Sequence, residues 1–273
     1  MFQGTFVFGV AIVKILVCVK QVPDSQAAIE IDEASRWVHV RGGTLPQMGR
    51  FDECAVEQAL MCKEQIPGAT VDAITVGSTA TASVVRRAMG MGADHGIHVL
   101  TPEEGYVSAL TTASRIAAAV RDRQYDLILA GVVSEDMGQG LVGPMLAELL
   151  SIPCATSCAV ARVEPQRGCV YVERDVEGGL RQAIELDLPA LVTVQSSMNR
   201  PRYPSLSNIM RANRYELEVF PCVASERPSA TEDLVRLDYP QSTRSVVFLQ
   251  GSGRDKAREL LSIVRSRSLL RGG

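Results

Sequence analysis

The sequence has no surplus of charge of either sign. Lys and Arg number 28 against 31 Asp and Glu, a net charge of −3, so the basic face that duplex nucleic acid demands is missing. It also lacks a membrane-length apolar run. The apolar stretch at 6–19 is interrupted by Lys14, has no basic residue ahead of it and no small-residue cleavage site behind it. It is shorter than the roughly 20 residues of a spanning helix, so no direct membrane insertion is expected. The seven cysteines are an odd number in a long chain, which argues against an extracellular disulfide framework and for reduced thiols in a cytoplasmic protein. With three histidines (His39, His95, His98) and one close cysteine pair (Cys154, Cys158) that has no matching second pair, no metal site is expected. Neither GxSxG nor GxxxxGK[ST] occurs, no histidine is placed beside a Ser or Cys in a recognisable arrangement, and there is no internal repeat or low-complexity tract.

What is present is an ordinary globular composition, 46% apolar and 22% charged over 273 residues, enough to bury a large core. Residues 15–19 read as a buried strand, which makes 1–12 an N-terminal extension with Val13 as a candidate initiator position. Short β pieces at 29–31 and 37–40 precede a helix at 51–63 that Asp52 is placed to cap. Alternation then sets in: strand 72–77, helix 79–91, strand 96–100, a helix after Pro102, strand 126–130 and a helix from about 140 to 150. This is the pattern of an α/β fold, a parallel sheet with helices on both faces. Shorter strands at 159–163, 169–174, 180–186 and 190–194 read as an antiparallel extension of that sheet. Beyond 195 periodicity fades into an extended C-terminal arm, closed by a strand at 245–249 and a helix at 255–267. The expected organisation is an extension (1–12), a nucleotide-binding domain (13–195), and a partner-recognition loop with the arm (196–273).

The most informative loop is GVVSEDMGQGLVGP (131–144) after the strand at 126–130. In an open α/β sheet, ligands sit beyond the carboxyl ends of the strands, where helix N-termini favour phosphate. Gly138, Gly140 and Gly143 spell GxGxxG, but the dinucleotide fingerprint belongs directly after the strand of an early βαβ unit, and Gly138 lies well beyond Gly131. A phosphate-binding loop of another kind is the better reading, with a nicotinamide-dependent dehydrogenase and a purely structural loop as alternatives. His95 and His98 read as hydrogen-bonded structural residues. A nucleotide loop without catalytic acids or bases points to binding or cofactor-mediated chemistry, with no catalytic residues of its own.

Several segments resemble the β subunit of electron transfer flavoproteins: KILVCVKQVPD (14–24), FDECAVEQAL (51–60), MGMGADHGIH (89–98) and, most specifically, VERDVEGGLRQAIELDLPALVT (172–193). NRPRYPSLSNIMR (199–211) resembles that family's partner-docking segment. The resemblance implies a Rossmann-like nucleotide domain in a heterodimer whose α subunit holds the redox FAD. It implies an electron carrier rather than an enzyme, taking electrons from acyl-CoA dehydrogenase-type flavoenzymes to a quinone-linked oxidoreductase. In this subunit it implies a structural AMP or, in electron-bifurcating members coupled to NADH, a second FAD.

Carried over by position, the nucleotide meets Cys18, Gly49, Arg50, Phe51, Asp52, Val76, Gly131, Ser134, Asp136, Gly138, Gln139, Gly140, Leu141 and Val142. Phe51 lies close to the α subunit's flavin, and a helix-start staple is an equally good reading of it. Leu206, Arg202, Ile209, Met210 and Arg211 carry partner docking, with Leu206 held out on a loop stiffened by Pro201 and Pro204. The chain departs from the pattern in having Gly49-Arg50 where relatives commonly have Asn-Pro. Gln139 stands where they have a small hydroxyl or thiol, and Met-Gly-Gln-Gly follows Asp136 where many bifurcating members have Gly-Asp-Thr-Ala. Val142-Gly143-Pro144 does resemble those members. Arg174 and Asp175 are adjacent on a strand and so point to opposite faces, which leaves each to find another partner.

Overall fold

Val, Ile and Leu fill both faces of the central strands, as in a sheet covered by helices on either side. The computed structural model describes residues 13–32, 37–41, 45–102, 105–222, 234–240 and 246–267, with the strands at 6–7 and 10–11. Of the expected extension, only those two strands are described, β1 (Phe6–Val7) and β2 (Val10–Ala11), which pair as a hairpin. Next come β3 (Lys14–Cys18), β4 (Gln21–Val22), β5 (Ala28–Asp32), β6 (Trp37–Arg41) and β7 (Gln47–Met48), with β4 paired to β7 and β5 to β6. The alternating region follows as α1 (Arg50–Gln65), β8 (Thr70–Gly77), a 3-10 turn (Thr79–Thr81), α2 (Ala82–Met91), β9 (His95–Leu100), α3 (Ala109–Val120), β10 (Leu127–Gly131) and α4 (Val142–Leu150). Then come β11 (Cys154–Glu164), β12 (Cys169–Val176), β13 (Leu180–Asp187), β14 (Ala190–Val194), α5 (Leu206–Arg214) and β15 (Glu218–Pro221).

Nine strands form one sheet in the order β13-β12-β11-β14-β10-β3-β8-β9-β15. All neighbours from β11 to β15 run parallel, and only the β11–β12–β13 meander is antiparallel. Ile15, Val17 and Val19 pack with α1 and α2 on one face, while Leu16 and Cys18 pack with α3 and α4 on the other. That is the period-2 alternation of a strand buried twice.

Four expectations change. Residues 190–194 join in parallel between β10 and β11 instead of extending the antiparallel part. The cap of α1 is Gly49 without a side-chain bond; the Asp52 carboxylate is used across the fold instead. The segment after 195 holds α5, whose Ala212 is buried, and β15, which pairs with β9 at the far edge of the sheet. Both belong to a compact unit running from Met1 to Leu237. Residues 246–249 carry no strand, and 245 lies outside the described residues.

Arg174 and Asp175 both find partners on β13, where Arg174 Nε donates to Gln182 at 2.9 Å and Asp175 accepts from Arg181 at 3.0 Å. The second unit, Asp238–Gly273, contains α6 (Gly253–Ser266), started by a reciprocal Ser252–Asp255 capping box. Among the described residues no helix is long and apolar enough to cross a membrane.

Candidate functional site

From β3 the chain winds outward through β8 and β9, then returns to lay β10 on the other side of β3. Helices diverge to opposite faces at such a reversal, leaving a crevice beyond the carboxyl ends of the strands. A cavity of about 430 Å³ lies there, a size ordinary for small-molecule sites. The structure brings Cys18, Asp52, Val76, Gly131, Ser134, Asp136, Gln139, Gly140, Leu141 and Val142 to its wall. Gly49, Arg50, Phe51 and Gly138 are outside the lining; the first three start α1 beside it and Gly138 is a turn residue (φ +65°).

Asp52 is the clasp of the crevice. Its Oδ2 accepts the Lys20 N–H at 2.8 Å and its Oδ1 the Gly131 N–H at 3.1 Å, tying the ends of β3 and β10 to α1. A Cβ at Gly131 would stand 2.4 Å from Asp52 Oδ1 and 2.8 Å from Phe51 Cβ, so only glycine permits this approach. Burial pushes the Asp52 carboxyl up to about 7 despite the two N–H donors and the Lys20 charge; the nearby Asp136 adds to the rise. Burial, with Asp52 beside it, also pushes the Cys18 thiol up to about 12, which removes it as a nucleophile.

Across the mouth Lys20 Nζ pairs with Asp136 at 2.7 Å. Glu135 accepts the Arg50 N–H at 3.0 Å, so a carboxylate already occupies the start of α1. The start of α4 differs: Leu141 offers no side-chain cap, and Val142 and Gly143 line the cavity. Gly140 turns the chain there with φ +62°, and a Cβ would stand 2.9 Å from the Val132 carbonyl oxygen.

Among the lining residues that escaped the sequence analysis, three stand out. Thr75 is buried with no hydrogen-bond partner for Oγ1 among the described residues. Its signal was a hydroxyl inside the apolar run from Ala73 to Val76. Arg115 is 5% exposed on α3, a buried cation whose signal was a guanidinium within an alanine-rich helix. Trp37 reaches the wall from β6. The histidines are structural: His98 Nε2 lies 3.1 Å from Thr81 Oγ1 and from the Gly77 carbonyl, and His95 Nδ1 is 3.1 Å from the Tyr215 hydroxyl. Among the described residues no group of side chains is arranged to hold a metal ion. The arrangement supplies backbone donors, the Arg115 and Lys20 cations, the latter paired with Asp136, and apolar walls, which is equipment for holding an anionic, partly apolar ligand.

The expected docking segment is helical rather than a loop. Ser205 caps α5 by accepting the Asn208 N–H, and Leu206 in its first turn is 74% exposed, beside exposed Ile209 and Met210. Arg202 makes a bidentate pair with buried Glu57 (2.8 Å to each oxygen) and reaches Glu64. Arg211 donates to the carbonyls of Met89, Ala93 and Asp94 at the end of α2. These two guanidiniums seat the segment on its own chain.

A family model described as the electron transfer flavoprotein domain matches residues 36–225. The chain is 33% identical over 240 residues to the electron transfer flavoprotein subunit beta of Bacillus subtilis, covering 86% of this chain and 88% of that protein. It is 35% identical over 208 residues to the Homo sapiens protein of the same name, covering 76% and 80%. The Sus scrofa protein is also 35% identical, over 206 residues, covering 75% and 79%.

Proposed function

The chain belongs to the electron transfer flavoprotein β-subunit family, and from that premise we propose that it is half of a heterodimeric electron carrier. Its α partner holds the redox FAD, and this chain holds a structural AMP in the cavity between β3 and β10. The carrier takes electrons from acyl-CoA dehydrogenase-type flavoenzymes to a quinone-linked oxidoreductase in the cytoplasm. The observation that carries the reading is the cavity itself: an anion-favouring helix start at Val142–Gly143, a turn only glycine follows at Gly140, and a buried Thr75 hydroxyl on the wall with no partner among the described residues.

The residues fit a nucleotide. Backbone N–H groups of the loop into α4 would hold its phosphate, and Thr75 and Arg115 offer further donors. AMP there supplies no redox chemistry, only structure; the FAD of the α subunit supplies the electron transfer. This chain's part is to keep the crevice closed through Asp52 and to present Leu206, Ile209 and Met210 to the dehydrogenase. Val142-Gly143-Pro144 favours a second reading, in which a second FAD fills the cavity and the complex oxidises NADH.

The test is anaerobic. The chain is co-purified with its α subunit, and bleaching of the visible flavin band is followed after adding an acyl-CoA and its dehydrogenase. Bleaching that requires both is expected. Bleaching by NADH alone would move the assignment to the second reading, and a complex without flavin would overturn both.

A further inference from the structure

One aromatic side chain at the cavity, Trp37, belongs to neither the glycine loop nor the Asp52 clasp. Trp37 is the chain's single tryptophan. It begins β6, whose hairpin with β5 joins no other strand among the described residues, and a lone two-stranded hairpin is marginally stable in water. The Trp37 ring meets that of Tyr106 with centroids 5.8 Å apart and planes tilted by 53°. With Gly105 it forms the cavity wall beyond the end of β9. At Gly105 a Cβ would lie 4.0 Å from Trp37 Cβ, so the two segments close on each other with no side chain between them.

The position is informative. The glycine loop follows β10 and Gly105, beside Trp37, follows β9; β10, β3, β8 and β9 are successive neighbours, so the ends of β10 and β9 lie three spacings, about 14 Å, apart. The cavity wall offers backbone donors and an open helix start after β10, and an indole beside the segment that follows β9. A ligand with a phosphate at one end and a flat heterocycle at the other matches that polarity.

We propose that Trp37 is the stacking wall for the heteroaromatic ring of the nucleotide in this cavity, an inference that rests on the nucleotide reading given above. Indole presents the largest π face of any side chain, and tilted contact with Tyr106 holds it in place while part of it remains accessible. The ring it meets is adenine if AMP is held, and adenine or isoalloxazine if FAD is held.

The test uses the heterodimer, freed of nucleotide, refilled with one FAD per dimer, and titrated calorimetrically with AMP and with further FAD. Base–aromatic stacking is worth about 5- to 150-fold in affinity by alanine substitution. Trp37→Ala is expected to weaken binding by that factor, and Trp37→Phe to restore most of it. Weakening of both ligands places adenine on the indole; weakening of FAD alone places isoalloxazine there. Trp37→Leu keeps apolar contact with Tyr106 but removes the stacking face, so if the alanine variant fails to assemble, the Phe and Leu variants decide. Affinities for both ligands that stay within about twofold across the variants overturn the stacking role and leave the nucleotide reading standing. A wild-type heterodimer that takes neither AMP nor a second FAD overturns both.

Discussion

At Gly140 the backbone turns through φ +62° beneath the Val132 carbonyl. A β-branched side chain there meets both a strained conformation and a carbonyl oxygen, so Gly140→Val should lower nucleotide affinity by about tenfold or more, read by chromatography of the nucleotide released on denaturation. Unchanged nucleotide content would remove the loop from the site. Asp52 makes a separate prediction, on pH. Its folded value of about 7 lies above the ordinary carboxyl value of about 3.9. Between these values the folded chain keeps a proton that the unfolded chain has lost, so this group's contribution to stability is present below about pH 4 and is lost as pH rises through 7. Urea unfolding of the heterodimer should therefore lose about 1–3 kcal/mol more between pH 5 and 8 in wild type than in Asp52→Asn; parallel pH profiles would contradict it. A sequence shows that an Asp stands at the start of a helix. It does not show that the first N–H of that helix is taken by Glu135, 85 residues away, which frees Asp52 to bind two strand ends.

Among the elements, α5 separates two roles that lie close together in sequence. Leu206 is 74% exposed, so Leu206→Ala should leave the melting temperature unchanged. Burying one leucine against a partner is worth roughly 1.5–3 kcal/mol, so docking to a dehydrogenase should weaken by about 10- to 150-fold. Loss of flavin or of the heterodimer in that variant, with normal transfer, would make Leu206 structural. Arg202 behaves oppositely. Arg202→Ala strands the buried Glu57 carboxylate, and with the arginine itself partly exposed the cost should be about 1–3 kcal/mol of stability, seen as a lowered melting temperature. An unaltered melting temperature would contradict that anchoring role. The helix itself was hard to read from sequence because it is short and follows a Pro-rich stretch: of its residues only Ala212 is buried, and its apolar residues Leu206, Ile209 and Met210 share an exposed face instead of a core-facing stripe. The central strands were legible for the opposite reason. Ile15, Leu16 and Val17 are buried on both faces and form an unbroken apolar run, and the glycine loop after β10 stands out by composition. Strand order is set by long-range pairing, which is why β14, though adjacent in sequence to the β11–β13 meander, was read as antiparallel when it lies parallel beside β10.

For the molecule as a whole, the crossover between β3 and β10 sets the place of the crevice, and ten of the fourteen residues carried over for a nucleotide line it because they sit at the strand ends, loops and helix starts of that edge. Thr75, Arg115 and Trp37 reach the same cavity from a strand interior, a helix face and a separate hairpin, positions no local motif marks. Expressed without its α subunit, the chain should bind the redox FAD poorly, since the cavity it owns is assigned to a second nucleotide; a yellow, monodisperse monomer with one tight FAD would speak against the AMP assignment. Whether this chain holds a nucleotide inside an electron carrier is decided by denaturing the co-purified heterodimer and identifying what it releases. One FAD and one AMP per dimer is the predicted result, two FAD would point to the bifurcating form, and NAD(H) alone, or no second nucleotide at all, would contradict it.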